Sequence, residues 1–429
     1  MESVYKENGD KLYGEEKFTE AFLEYKKMLT EEGLKINPHF NNRLLACSRK
    51  SKDIENYLYV FDLMTEMKSD YFDLETHSIE DFKNINATTY LWLLYDLIKE
   101  DDFNVNLYLQ EVLNYLNYCA DRTHYCYYLA KILFKNEAIN KKLLQEFVEY
   151  VNYKVYSKEL HYQNGKTLAS EYEHLGYSIG KFYYDIGEYK NSNKICAELL
   201  TLDPNLSQYR GFILNLQAEN YFALNDFKTA LNKKHQALEI KDDWYLYHQV
   251  GLIYLKLNEI KKAGKYFTLA LFKNRQNLGY LNKLLLDLQK VYLDIGEEEL
   301  VKLLNSILYY ERKKNNWSIG SELESAEKYN ITELNFRKYY FDFQKKCKDV
   351  LIKRFLESKK EGVINMFNKE KRFGFILDKG GKPHHFSPSA IIGNPRDLFK
   401  NDKVYFELKE KLNLRKNIRE TTCEYVIKI

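Results

Sequence analysis

The chain has 429 residues, 65 Lys+Arg against 62 Asp+Glu for a formal charge of +3, and 45% hydrophobic residues, enough for two or three domains or one extended repeat array. Met1–Asn8 holds no apolar signal core, and every apolar run is broken by charge well before about 18 residues, which argues against export and against a membrane span. The six cysteines form no Cys-x-x-Cys pair and have no clustered histidines, so no metal or cofactor site is expected, and buried free thiols of a reducing cytoplasm are.

Charge is unevenly divided. Residues 1–100 hold 13 Lys+Arg against 20 Asp+Glu, and residues 359–429 hold 16 against 9. A basic C-terminal segment on a mildly acidic body favours a polyanion held at one end, although ordinary solvated surface has the same statistics.

From the N-terminus onward the pattern is helical and repetitive. Only Pro38 and Pro204 interrupt the first 380 residues. Gly9, Leu12, Tyr13, Phe18, Ala21, Tyr25 and Leu29 make a first hairpin-like unit. Residues 57–170 are helical by pattern but match this unit poorly, and read as degenerate hairpins. Clearer copies start at Gly180: Tyr183 with Gly187, then Ala218, Tyr221, Phe227, Ala230 and Ala237, then Gly251, Tyr254, Ala263, Phe267 and Ala270, and a weaker copy with Tyr292, Gly296 and Leu308. The tyrosines 183, 221, 254 and 292 are separated by 38, 33 and 38 residues. Small residues let paired helices approach closely while the tyrosine fills the groove between them. Residues 172–310 thus resemble tetratricopeptide repeats, and the whole of residues 1–310 is expected to form an α-solenoid of such hairpins. That resemblance implies a concave face for a protein or peptide partner. Lys181, Tyr184, Glu219, Phe222, Lys256 and Lys290 are the inward-facing candidates, and ordinary solvated helix positions are the alternative. Their mixed signs do not reproduce the Lys/Asn/Arg clamp by which some family members hold an acidic C-terminus.

Residues 311–358 read as a linker and cap. Glu311–Asn316 looks like a loop, a helical pattern begins at Ile331–Glu333, and Phe336, Tyr340, Phe343, Cys347, Val350 and Leu351 recur at helical spacing.

The last segment is different. Val363–Asn368 and Arg372–Leu377 read as two strands across a tight polar turn, with Phe373 and Phe375 two residues apart and therefore on one strand face. Beside Lys371 and Arg372, such rings form a stacking platform for unpaired bases; the competing reading turns one or both rings into a small barrel's core. Gly362-Val-Ile-Asn-Met-Phe-Asn368 resembles the opening Gly-x-Val-Lys-Trp-Phe-Asn of cold-shock domains, and Lys371-Arg-Phe-Gly-Phe-Ile376 resembles their first ribonucleoprotein motif, Lys-Gly-Phe-Gly-Phe-Ile. Gly380-Gly381 supplies the next turn, Pro383–Ile391 stands in the place of the second motif, Asp402-Lys-Val-Tyr-Phe-Glu407 matches the following Val-x-Phe, and Thr422–Ile427 gives a closing strand. The resemblance covers residues 359–429 and implies a five-stranded barrel of the oligonucleotide-binding type, with Met366, Lys371, Arg372, Phe373, Phe375, His385 and Ser387 at nucleic-acid-contacting positions. Met366 replaces the family's stacking Trp, and the second motif keeps only His385 of its usual rings. His384 and His385 are adjacent on a strand and so point to opposite faces, which argues against paired acid–base catalysis.

No Gly-rich phosphate loop, His-Glu-x-x-His or nucleophile elbow is present. The expectation is therefore a non-enzymatic adaptor: the solenoid holds a protein or peptide, and the C-terminal module holds single-stranded RNA, or DNA. The alternatives are a protein-interaction scaffold or a peptide-sensing regulator whose barrel no longer binds nucleic acid. Oligomeric state is not set by the sequence.

Overall fold

The computed structural model describes residues 3–32, 36–65, 79–100, 104–117, 122–274, 281–320, 323, 329–413 and 418–429. The chain divides into two compact units, Met1–Tyr209 and Arg210–Ile429.

In the first unit, α1 (Val4–Gly14) and α2 (Phe18–Glu31) form a hairpin, followed by α3 (Pro38–Ser51), α4 (Ile54–Thr65), α5 (Ile79–Leu97), α6 (Leu109–Leu116), α7 (Arg122–Leu133) and α8 (Lys141–Tyr150). Helices α1 and α3 start where the sequence offers caps. Ser3 Oγ accepts from the Lys6 amide at 3.1 Å, and Asn37 Oδ1 from that of Phe40 at 2.8 Å with Pro38 at the first helical position. A two-stranded hairpin, β1 (His161–Gln163) and β2 (Lys166–Leu168), then interrupts the region read as purely helical. Its turn is Asn164-Gly165, both with positive φ, as a two-residue hairpin turn requires. The unit ends in the hairpin α9 (Glu171–Asp185) and α10 (Tyr189–Leu199).

The second unit continues with hairpins α11 (Arg210–Ala223)/α12 (Phe227–Ile240), α13 (Trp244–Lys256)/α14 (Ile260–Lys273) and α15 (Asn282–Asp294)/α16 (Glu298–Lys314). A backbone device repeats through these and α9/α10. Gly187, Asn225, Asn258 and Gly296 hold left-handed φ between 58° and 83°. The next amide in each case donates back to the carbonyl of the recurring tyrosine: Glu188 to Tyr183, Asp226 to Tyr221, Glu259 to Tyr254 and Glu297 to Tyr292, at 2.8–2.9 Å. This helix-ending turn closes orphan carbonyls and fixes where the second helix begins. It places Tyr292 fully in the core and Tyr254 nearly so, whereas Tyr183 and Tyr221 are half-buried. Helix α16 runs through Lys314, so Glu311–Lys314 is helix rather than loop; Arg312, Lys313 and Lys314 sit where cations favour a helix C-terminus. Helix α17 (Phe336–Val350) follows, opening five residues later than the pattern at Ile331 implied in sequence, and ends in a π turn, Leu351–Phe355.

The C-terminal strands are β3 (Lys360–Asn368), β4 (Phe373–Asp378), β5 (Pro383–Phe386), β6 (Lys403–Asn413) and β7 (Ile418–Lys428), all antiparallel neighbours in the order β5-β4-β3-β6-β7. The sheet is not closed into a barrel by a continuous ladder. Thr422 Oγ1 on β7 donates to the His385 carbonyl on β5 at 3.0 Å, and beyond β5 an isolated bridge joins Ile391 to Val426, with the Ile392 amide donating to the Val426 carbonyl at 2.9 Å. Ile364, Ile376, Phe386, Leu398, Val404, Phe406 and Val426 fill its own core. On β7, Tyr425 takes a left-handed φ of 54° where the β6–β7 register shifts, and Tyr425, Ile427 and Ile392 join the helical core that contains Phe267, Phe343, Cys347 and Phe355. Lys265 on α14 seals this seam. Its Nζ lies 2.6 Å from Glu407 Oε2 and 4.4 Å from the Tyr425 ring centroid. Cys47, Cys126, Cys196, Cys347 and Cys423 are buried free thiols; Cys119 lies outside the described residues.

Candidate functional site

Strand β4 alternates with burial: Gly374 and Ile376 are buried, and Phe373 and Phe375 are half-exposed on the opposite face and absent from the core. The reading that turned these rings into the interior is thereby excluded. Gly374 is needed between them because a Cβ there would meet the Phe386 ring and lie 2.8 Å from the Met366 carbonyl. Strand β3 carries an irregularity between Ile364 and Met366. Ile364 pairs with Ile376 in the core, yet Met366 pairs with Phe375. The extra residue flips the face, so Met366, 40% exposed, joins the two phenylalanines. His385 reaches the same face from β5, opposite Phe375. The rings gather there. Phe373 and Phe375 stand edge to face with centroids 6.0 Å apart, His385 lies 5.7 Å from Phe375, and it is nearly parallel to Phe373 at 6.5 Å.

The turn beside this cluster is polar and basic. The Lys371 amide donates to Asn368 Oδ1 at 2.8 Å, Arg372 has φ 59°, and both cationic side chains are exposed. Arg372 stands where the resemblance has Gly, and its positive φ is the physical reason for that preference. Ser387 lies beyond β5, half-buried, its Oγ 2.6 Å from Ser389 Oγ. His384 faces the interior as expected and binds Asp378 Oδ2 at 2.9 Å; this contact, with the Lys382 and Gly380 amides, holds the Asp378 carboxyl below its usual range.

Across β3 the same face continues to β6. Glu361 pairs with Tyr405 and Val363 with Lys403 in the β3–β6 register. Tyr405 escaped the sequence reading because it fills the unspecified place of a Val-x-Phe pattern; only its alternation with buried Val404 and Phe406 marked it as outward-facing.

Of the six helical candidates, Lys181 and Tyr184 lie in the first unit and Glu219, Phe222, Lys256 and Lys290 in the second. In the first unit, Lys181 lines a cleft of about 600 Å³ with Lys131, Lys135, Phe134, His174 and Phe182. Burial, with Lys131 and Lys135, lowers the pKa of His174 there. Tyr184 packs on Tyr189, centroids 5.7 Å apart. In the second unit, Glu219, half-buried, belongs to a polar knot. Its Oε1 accepts from Asn215 at 3.0 Å, Gln249 at 2.9 Å and Lys234 at 3.4 Å. Lys234 is 2% exposed and also donates to Asn215 and Gln249; burial draws its pKa down to about 8. Phe222 packs on Phe227, Lys256 is exposed at the end of α13, and Lys290 is exposed with Asp287 3.6 Å away, the latter bound to buried His248 at 2.8 Å. Sequence reasoning missed Lys234 because nothing in the pattern separates a buried lysine from a solvated one. Among the described residues no three His, Cys, Asp or Glu converge to hold a metal ion, and no helix is long and apolar enough to cross a membrane.

No protein-family model matches the chain, and no curated protein matches it. Solved structures similar to it include the apo form of RapI (16% identity, 74% of this chain and 87% of that one, TM-score 0.39). Others are the C-terminal part of a TPR repeat-containing protein from Cytophaga hutchinsonii (14%, 66% and 94%, 0.30) and the TPR2AB domain of yeast Sti1 in complex with pHSP90 (16%, 72% and 97%, 0.24). At such scores these likenesses say nothing about ligands.

Proposed function

We propose that this chain is a non-enzymatic adaptor of the cytoplasm whose stacked helical hairpins hold a protein or peptide and whose C-terminal sheet, a divergent cold-shock-like module, holds single-stranded nucleic acid, RNA in preference to DNA. The observation that carries this reading is the aromatic face. Phe373, Phe375 and His385 cluster on the open side of β4 and β5 with Met366 beside them and two exposed cations in the adjoining turn. Half-exposed rings kept out of a core cost hydrophobic stabilisation, and stacking on bases accounts for their placement. Flat ring faces reach unpaired bases and not those inside a duplex. Met366 in place of an indole makes the site weaker than one with a full set of rings.

Replacing Phe373 and Phe375 together with Ala should remove roughly 2–6 kcal/mol of single-strand affinity in a fluorescence anisotropy titration. Because neither ring belongs to the sheet core, the melting transition should move little. Equal affinity of the wild-type chain for duplex and single strand would reduce the site to plain electrostatics. Absence of binding at low salt would leave a protein-interaction scaffold as the better reading.

A further inference from the structure

The sheet face does not end at Met366. Val363, 37% exposed, and Leu377 continue it, and Tyr405 lies beyond them on β6. Around Tyr405 the surface sinks into a cleft of about 380 Å³ lined by Lys359, Lys360, Glu361, Lys379 and Tyr405, which runs on past Val363, Leu377 and Lys403. Lys359 Nζ stands 5.6 Å from the Tyr405 ring centroid, and Lys379 is paired with Glu361 at 2.7 Å. Glu361, paired with Tyr405 in the β3–β6 register, has its carboxyl held below the usual range chiefly by Lys379. The Tyr405 ring borders the cleft. Of the charges here, Glu361 is engaged by Lys379, and Asp378 by His384 and the turn amides. Lys360 and Lys403 are exposed.

Given the reading that the Phe373/Phe375 face takes an unpaired strand, we propose that Tyr405 and the lysines around it form a second base-and-phosphate subsite, so that one continuous strand crosses the sheet from His385 to Tyr405. The register sets the span. Tyr405 is two strands across from Phe375 and level with a position four residues further along β4, about 16 Å away for strand spacings of about 4.8 Å and a rise of about 3.3 Å per residue. That distance exceeds what the phenylalanine pair alone can engage, and it falls within the site size of about 4–16 nucleotides of small barrel-type modules. Lys359, Lys360 and Lys403 are placed to meet phosphates along the way, and Tyr405 offers one more stacked base.

The test uses the full chain and fluorescein-labelled oligouridylates of about 4 and about 12 nucleotides, the lower and upper parts of that range. Wild type should bind the long oligomer more tightly. Tyr405→Ala should weaken the long oligomer about 5- to 150-fold, the loss of one stacked base, and leave the short one unchanged. Tyr405→Phe should retain wild-type affinity, which separates the ring from its hydroxyl and guards against a folding defect in the alanine variant. Lys359→Gln with Lys403→Gln should lower the slope of log K against log salt by about 0.7 per lost phosphate contact. A long oligomer bound by wild type and indifferent to Tyr405→Ala, or weakened no more than the short one, overturns the second subsite alone. Binding of neither oligomer by wild type overturns the nucleic-acid reading beneath it as well.

Discussion

Arg372 keeps a left-handed backbone, φ 59°, in the turn that presents Phe373. For an L residue with a Cβ that conformation costs roughly 1–2 kcal/mol, and glycine is spared it. Arg372→Gly should therefore stabilise the sheet by up to about 1 kcal/mol, after allowing for glycine's greater unfolded-state freedom, and raise the midpoint of thermal unfolding. On the proposed reading it should also weaken strand binding by removing one cation. A variant that gained neither stability nor a flatter salt dependence would show that the arginine serves neither backbone nor ligand. Tyr425, at φ 54°, carries similar strain on β7, where its ring enters the helical core beside Lys265.

The hairpins owe their closeness to single missing atoms. A Cβ at Gly251 would collide with the Phe267 ring, and one at Gly9 with the Tyr25 ring; both aromatic residues are buried and cannot swing clear. Gly251→Ala should cost about 1–3 kcal/mol through overpacking, read as a lower denaturant midpoint, and Phe267→Leu in the same chain should recover part of that loss. At this scale the sequence was most legible. Gly251, Ala263, Ala270 and the spaced tyrosines announced helix pairs because close packing tolerates few residue types at those places. The Asn164-Gly165 hairpin was lost inside a region read by its helical periodicity, although the dipeptide itself signals a turn. For Glu219, spacing places a Cα on a face but does not reveal that Lys234, Asn215 and Gln249 converge on its carboxylate. The irregularity in β3 was equally hidden. Strict alternation would have set Met366 on the inner face; the cold-shock resemblance put it with the phenylalanines, and the paired register brings it beside Phe375.

In the second unit the sheet and the helices share a core, which no strand pattern could disclose: Tyr425 and Ile427 read as ordinary alternation, and their helical neighbours come from distant sequence. The seam they make is also titratable. His235 on α12 lies there, 5.7 Å from the Tyr266 ring, with Lys409 and Glu424 of the sheet nearby. Burial, with Lys409, lowers its pKa to about 4 against the pull of Glu424. The unfolded chain binds a proton near pH 6.5 and the folded chain only near 4, so the unfolded state carries more protons in that window and stability falls as pH drops through it. The loss should be on the order of 2 kcal/mol. His235→Gln should flatten this part of the pH–stability profile measured by urea denaturation; an unchanged slope would place the sensitivity elsewhere.

Between α17 and β3 there is no slack. The π turn Leu351–Phe355 is buried at both ends, and Phe355 sits against Gly264 of α14. Flexible tethers let two modules bind independently and set their mutual benefit by an effective concentration. A strut works otherwise. Whatever rests on the outer sheet face and whatever rests on α13 and α15 of the same unit are held at one fixed distance and angle, as by the arms of a caliper. Two ligands whose own spacing matches would gain fully from being held together, and those that do not match would gain nothing. Selection here would then act on the length between two contacts as much as on either contact.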